Sequence, residues 1–287
     1  APIFSTSDQG VILDINEKVL SSTTTDDNGE FSINGPLDLP DVITVQVTGG
    51  IDLATGKQNN LTLRNIVSIK DSDSVIVNVT LLSTIKEKLV RERIGTDDIV
   101  TIINETNEKV ATGFGIQESD IDNDFINAND IDIVKKNEEI KVLLDSLENA
   151  VNDVSFNQDN ALEAVSFYVN DLSDTELNLT LSGDIQGVIE ELSGVSIGVS
   201  NQDNMINYVV ETNTLLSDLS LSPGNDFDAV FTEAMKITVA SSENVQNGDN
   251  FDNSLSVPTE SEINDVSINV TIRPSDPEPE PEPEPEP

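Results

Sequence analysis

The spacing of apolar residues changes at Thr80, and that change constrains the fold more than any other feature of the 287-residue chain. Before it, short runs rich in β-branched residues alternate with turn clusters, at 10–15, 19–25, 30–34, 42–48, 61–64, 67–70 and 75–80. Runs of this length and spacing read as strands, and they predict a small antiparallel β-sandwich over residues 1–79. Asp26-Asp27-Asn28-Gly29 marks a hairpin between two of them, because Asn-Gly supplies the positive φ values of a tight turn. After Thr80, the residues Leu81, Leu82, Ile85, Leu89, Val90 and Ile94 follow helical spacing, with Thr80 or Ser83 as the cap. A second helix opens at Thr96 with Asp97 and Asp98 in its first turn, where carboxylates favour the dipole, and ends near Gly113 and Gly115. The longest helical pattern runs from Asp130 to about Val154, with Asn137 as its one polar interruption.

Residues 80–224 therefore read as mainly helical. Within them Asn157-Gln158-Asp159-Asn160 recurs as Asn201-Gln202-Asp203-Asn204, and both copies look like helices entered from an Asn/Asp cap. A duplicated helix–loop unit and two similar helix starts explain this equally well. Residues 225–273 read as β-rich, with strands at 236–239 and 267–272. The last fourteen residues, 274–287, hold seven of the twelve prolines in alternation with Glu. This tract can form neither a helix nor a central strand, and it predicts a polyproline II spacer of about 40 Å at ~3.1 Å per residue. The fold class is α+β: an N-terminal antiparallel β-sandwich, a helical middle, C-terminal strands and a polyproline II tail.

Composition removes whole classes of function. There is no His, Cys or Trp, which excludes His-based triads, thiol nucleophiles, disulfides and the usual zinc ligand sets. The formal charge of −40, from 54 acids against 14 bases, repels a phosphate backbone and argues against nucleic acid. No apolar run approaches the length of a membrane span. The chain opens on Ala1, which fits a cleaved leader and a trimmed chain equally. So acidic a surface suits salt water or bound cations.

Three stretches carry a family resemblance. Thr23-Thr24-Thr25-Asp26-Asp27-Asn28-Gly29-Glu30-Phe31-Ser32-Ile33 comes first, then Val47-Thr48-Gly49-Gly50-Ile51-Asp52-Leu53-Ala54-Thr55-Gly56. Val79-Thr80-Leu81-Leu82-Ser83-Thr84-Ile85 follows, with Asn78 where a proline is expected nearby. In this order they resemble the carboxypeptidase-regulatory-like (prealbumin-like) β-sandwich that leads into a helical part in surface and matrix proteins of marine and Gram-negative bacteria. The resemblance covers roughly residues 7–150 and implies an extracellular scaffold or adhesive role, with no active site to carry over.

Calcium is the one cofactor whose hard oxygen ligands are plentiful. Asp120, Asp122 and Asp124 alternate as at the start of an EF-hand loop, but Phe125 replaces the turn glycine and Ile131 the bidentate Glu. Asp249 and Asp252 lie in a second oxygen-rich loop. A solvated turn is the plainer reading of each. Gly194-Val195-Ser196-Ile197-Gly198 spells a nucleophile elbow with no His to serve it, and Ser83-Thr84-Ile85-Lys86 spells a Ser-x-x-Lys pair without its companion motifs. Neither supports an enzyme. Lys86, Lys88, Arg91 and Arg93 place four of the fourteen cations on one helix, whereas none lies between Lys141 and Lys236. They read either as local ion pairs or as a basic stripe that docks on an acidic face.

The expected function is that of an extracellular, secreted or cell-surface structural protein: a scaffold repeat or a filament subunit that self-associates. Joining would use charge-complementary docking through that basic stripe, or strand addition through Ile268, Val270 and Ile272. The alternative is a calcium-dependent adhesin on a Pro-Glu stalk, with a surface glycan or protein as its ligand.

Overall fold

A computed structural model describes residues 5–26, 31–32, 39–52, 61–70, 75–126, 128–151, 153, 155–173, 175–192, 194–195, 197, 199–221, 226–247, 251 and 255–268. Four strands come first: β1 (Ser5–Leu13), β2 (Val19–Thr24), β3 (Val42–Asp52) and β4 (Leu63–Ser68). They form one antiparallel sheet in the order β2-β1-β3-β4. Among the described residues the β-sandwich expected of residues 1–79 is not formed. Among the described residues the expected runs at 61–64 and 67–70 merge into β4, and 75–80 has no strand.

Helices supply the second layer that a second sheet was expected to supply. These are α1 (Leu81–Glu92) and α2 (Ile99–Phe114). The register pairs Thr44 with Ile66, so these two share a face with Val42. On that face Val42 and Ile66 pack against Val90 of α1 and Ile102 and Ile103 of α2. Ile12, Ile43 and Val45 line the opposite face, where Phe31, Leu39 and Val77 cover them. Gly10 makes this cover possible, since a methyl on its α-carbon would sit 3.2 Å from the Phe31 ring.

After α2 come α3 (Glu118–Ile121), α4 (Ile131–Ala150), α5 (Gln158–Asp171), α6 (Ser182–Glu190), α7 (Val199–Ser217), α8 (Phe227–Asn247) and α9 (Glu260–Asp265). Helix α4 is the hub and touches α1, α5, α7 and α8. It is buried on several sides, with Ile140, Leu143, Leu144 and Leu147 all fully enclosed. Its Asn137 satisfies its own amide by donating to the carbonyl of Ile133 at 2.9 Å. Thr80 caps α1, Asp130 caps α4 and Asn157 caps α5, while α2 opens later than the expected Thr96, with Asp98 as its cap. Gly115 ends α2 in the left-handed conformation, at φ 64°.

The expected C-terminal strands are also corrected. Residues 236–239 lie inside α8, a 21-residue helix that buries Val230, Phe231, Ala234, Met235, Ile237 and Val245. The β-branched run Ile237-Thr238-Val239 reads locally as a strand, but its neighbours keep a helical period and pack on α4. Residues 267–268 carry no strand, and 269–272 lie outside the described residues, as does the 274–287 tail. The echo at 201–204 is not a second helix start, because α7 already begins at Val199.

Candidate functional site at the sheet–helix junction

Edge strand β4 and helix α1 meet along two hydrogen-bonded networks. Adjacent strand residues point to opposite faces, and adjacent helix residues diverge by about 100°. Arg64 and Asn65 on β4, and Lys86 and Glu87 on α1, are therefore sorted into separate clusters.

The strand's backbone is met first. Ser83 Oγ donates to the carbonyl of Arg64 at 2.9 Å, and the N–H of Arg64 donates to Thr84 Oγ1 at 2.9 Å. The Ser-Thr pair of the helix thus closes the outer edge of β4 at Arg64. In the same turn Thr80 and Ser83 form a reciprocal cap, with Thr80 N donating to Ser83 Oγ at 2.8 Å and Ser83 N to Thr80 Oγ1 at 3.1 Å. These bonds occupy Ser83 as a cap and an edge clamp, and Lys86 points elsewhere. The Ser-x-x-Lys spelling is structural.

The first network centres on Glu87, whose side chain is 2% exposed. Arg91 pairs with it one turn along α1, and Arg64 Nη1 lies 3.4 Å from its Oε1. Arg91 also donates to the carbonyl of Ile15 and to Thr44 Oγ1, both at 3.1 Å, so it spans from α1 to the turn after β1 and to β3. Glu17 accepts from Arg64 at 2.9 Å at the rim.

The second network centres on Asp122, in the turn after α3. Its Oδ1 accepts from Lys86 Nζ at 2.6 Å and from Asn65 Nδ2 at 2.9 Å. Asn65 Nδ2 also donates to the carbonyl of Asn78 at 2.7 Å, and Asn78 Nδ2 donates to the carbonyl of Asp122 at 3.1 Å. Lys86 is 1% exposed and Asn65 fully buried, while the side chain of Asp122 is 38% exposed. Burial pushes the Lys86 ammonium below its ordinary 10.5, and the adjoining Asp122 carboxylate pulls it partly back.

The expected site residues separate at this junction. Of the basic stripe, Lys86 and Arg91 are held inside these networks, Arg93 pairs with Glu105 of α2, and Lys88 is half-buried. Of the candidate calcium ligands, Asp122 is engaged by Lys86, Asp120 caps α3 by accepting from Gln117 N at 2.9 Å, and Asp124 accepts from Ile126 N at 3.1 Å. No group of three acidic side chains is gathered to hold a metal among the described residues. Asp249, Asp252, Val270 and Ile272 lie outside them, as do Ser196 and Gly198 of the elbow pattern. Ile268 is partly buried against the main core. Asn65 and Thr84 were not singled out by sequence reasoning. A polar residue inside an apolar strand, and a Ser-Thr pair at a helix start, are the signals that would have found them.

Two clefts lie away from the junction. One of about 250 Å³ is bordered by Asp153, Glu163 and Glu191, and one of about 320 Å³ by Glu243, Glu262 and Asp265. Neither has a cation among the described residues that line it. No helix among the described residues is long and apolar enough to cross a membrane. The chain matches no family model, no curated protein and no solved structure, so the resemblance of residues 7–150 rests on its sequence motifs alone.

Proposed function

We propose that the chain is a structural module of an extracellular surface or matrix assembly, whose copies join by strand addition at β2. The observation that carries this reading is the contrast between the two edges of the sheet. The outer edge of β4 is clamped by Ser83 and Thr84, whereas among the described residues nothing pairs with the outer edge of β2. An open edge offers unpaired backbone groups to another strand, and proteins that avoid such pairing usually protect it with charge or Pro. The strand Val19-Leu20-Ser21-Ser22-Thr23-Thr24 has neither, and Val19 is 56% exposed. Val270 and Ile272 of a second copy, which continue the alternation from the core-packed Ile268, fit the donor role in sequence.

Strand addition is favoured over charge docking because Lys86, Arg91 and Arg93 of the basic stripe are already paired within the chain. The two routes respond oppositely to salt. Strand addition between copies of charge −40 strengthens as salt screens their repulsion, and docking of unlike charges weakens.

Sedimentation and electron microscopy of the full chain over a concentration series test this. Assembly should grow with ionic strength and be lost in the double variant Ser22→Asp, Thr24→Asp, which places like charges on two exposed edge positions. The variant's melting temperature should stay near that of the parent. A chain that stays monomeric throughout, or a double variant that assembles as well as the parent, overturns the proposal.

A further inference from the structure

Lys86, Asn65 and Asp122 form more than a buried ion pair. Two nitrogens, one on α1 and one on β4, converge on a single oxygen, Asp122 Oδ1, at 2.6 and 2.9 Å. The amine and the amide are thus neighbours, held by a carboxylate that contacts both. Asn65 is fully buried, and no hydrogen-bond donor among the described residues reaches its Oδ1. Lys86 is 1% exposed. The opposing groups are thereby kept from bulk water, while the half-open side of Asp122 leaves an exit for a small product.

We propose that Lys86 and Asn65 become joined by an intramolecular amide bond, formed by the protein itself with Asp122 as the proton carrier. Lys86 passes a proton to Asp122, and its freed Nζ attacks Cγ of Asn65, whose carbonyl electron pair moves onto Oδ1. Asp122 then gives that proton to Nδ2. The Cγ–Nδ2 bond breaks as the carbonyl re-forms, and ammonia leaves. The surplus proton on the new amide nitrogen returns to Asp122 and passes to the ammonia. One ammonium and one primary amide become one secondary amide and one ammonium ion, with Asp122 regenerated and no oxidant or cofactor consumed. Burial favours the neutral amine that the attack requires. The product ties the edge strand to the first helix in a chain that has no cysteine to do so. It does not depend on whether copies assemble.

Intact mass spectrometry and a tryptic peptide map of the full chain test it. The protein should be lighter than its sequence by one ammonia. Trypsin should fail to cut after Lys86, and a branched peptide should link the segments holding Asn65 and Lys86. Lys86→Arg and Asp122→Ala should each restore the full sequence mass.

A wild-type chain of full mass overturns the proposal, and this reading needs no variant to fold. Loss of ammonia with normal cleavage after Lys86 also overturns it, since cyclisation at Asn28-Gly29 gives the same mass. Loss of one water with the branch on Asp122 overturns Asn65 as the acyl donor. A branched peptide that persists in Asp122→Ala overturns the carboxylate's part.

Discussion

The ring of Tyr168 on α5 lies so close to Gly187 on α6 that a methyl on the glycine α-carbon would meet ring atom Cε2 at 2.1 Å. The Tyr168 hydroxyl donates to Asp184 Oδ1 at 3.1 Å, which holds the ring in that position from the same helix. Glycine inside a helix costs about 1 kcal/mol relative to alanine, and here the close approach of two helices requires it. Gly187→Ala should therefore destabilise the protein by ~1–3 kcal/mol. Gly183 lies on the same helix with nothing within 4 Å of its would-be methyl. Gly183→Ala should be neutral or stabilise by up to about 1 kcal/mol. Urea midpoints of the two variants on opposite sides of the parent would support this; equal shifts would refute it.

Glu87 of α1 and Arg93 at its C-terminal cap should differ sharply in worth. Glu87 is almost fully enclosed and faces two guanidinium groups, so Glu87→Ala leaves them partly buried with only the exposed Glu17 as counter-charge. The expected loss is ~2–4 kcal/mol. The Arg93–Glu105 pair is exposed at both ends, and Arg93→Ala should cost no more than about 1 kcal/mol. Thermal and urea unfolding of both variants would decide it. Comparable losses would mean that the inner network is not what holds α1 on the sheet.

Glu139 of α4 gives a pH dependence with a definite sign. Burial pushes its carboxyl above the ordinary 4.5, and the Lys136 ammonium at 3.5 Å offsets this only in part. A carboxyl with a raised folded value binds its proton more tightly when folded. Its ionisation therefore removes stability as pH rises from the unfolded value through the folded one. Glu139→Gln, uncharged and of the same shape, should melt above the parent at neutral pH. The gap should close as pH falls toward about 4. A gap that stays constant, or widens in acid, would show that ionisation of Glu139 is not what the substitution removes.

Helix starts were the most legible part of the sequence. Thr80, Asp130 and Asn157 each cap the helix their position announces, because capping is a local bond between a side chain and the next backbone N–H groups, whereas Asp98, expected in the first turn of a helix from Thr96, is itself the cap of α2. The same local pattern misled at Asn201, where Val199 and Ser200 already continue a helix packed on the core. The β-branched runs at 10–15 and 42–48 were legible too, and they fall largely within β1 and β3. They misled about the cover, since an apolar face is satisfied by any apolar partner. Val90, Ile102 and Ile103 of two helices supply it instead of a second sheet.

The concentration of four cations on one helix was equally plain in the sequence, but not its direction. Lys86 and Glu87 are neighbours in the chain, and the turn of about 100° between adjacent residues of α1 sends one to Asp122 and the other to Arg64 and Arg91. What the sequence alone determined is whatever depends on a few consecutive residues: the caps, the strand periods, the change at Thr80, and the absence of His and Cys chemistry. Tertiary structure alone decided which element covers the sheet, that residues 236–239 are helical, and that Asn65, Lys86 and Asp122 meet. Those outcomes depend on contacts between residues far apart in the chain, where burial and charge pairing outweigh local preference.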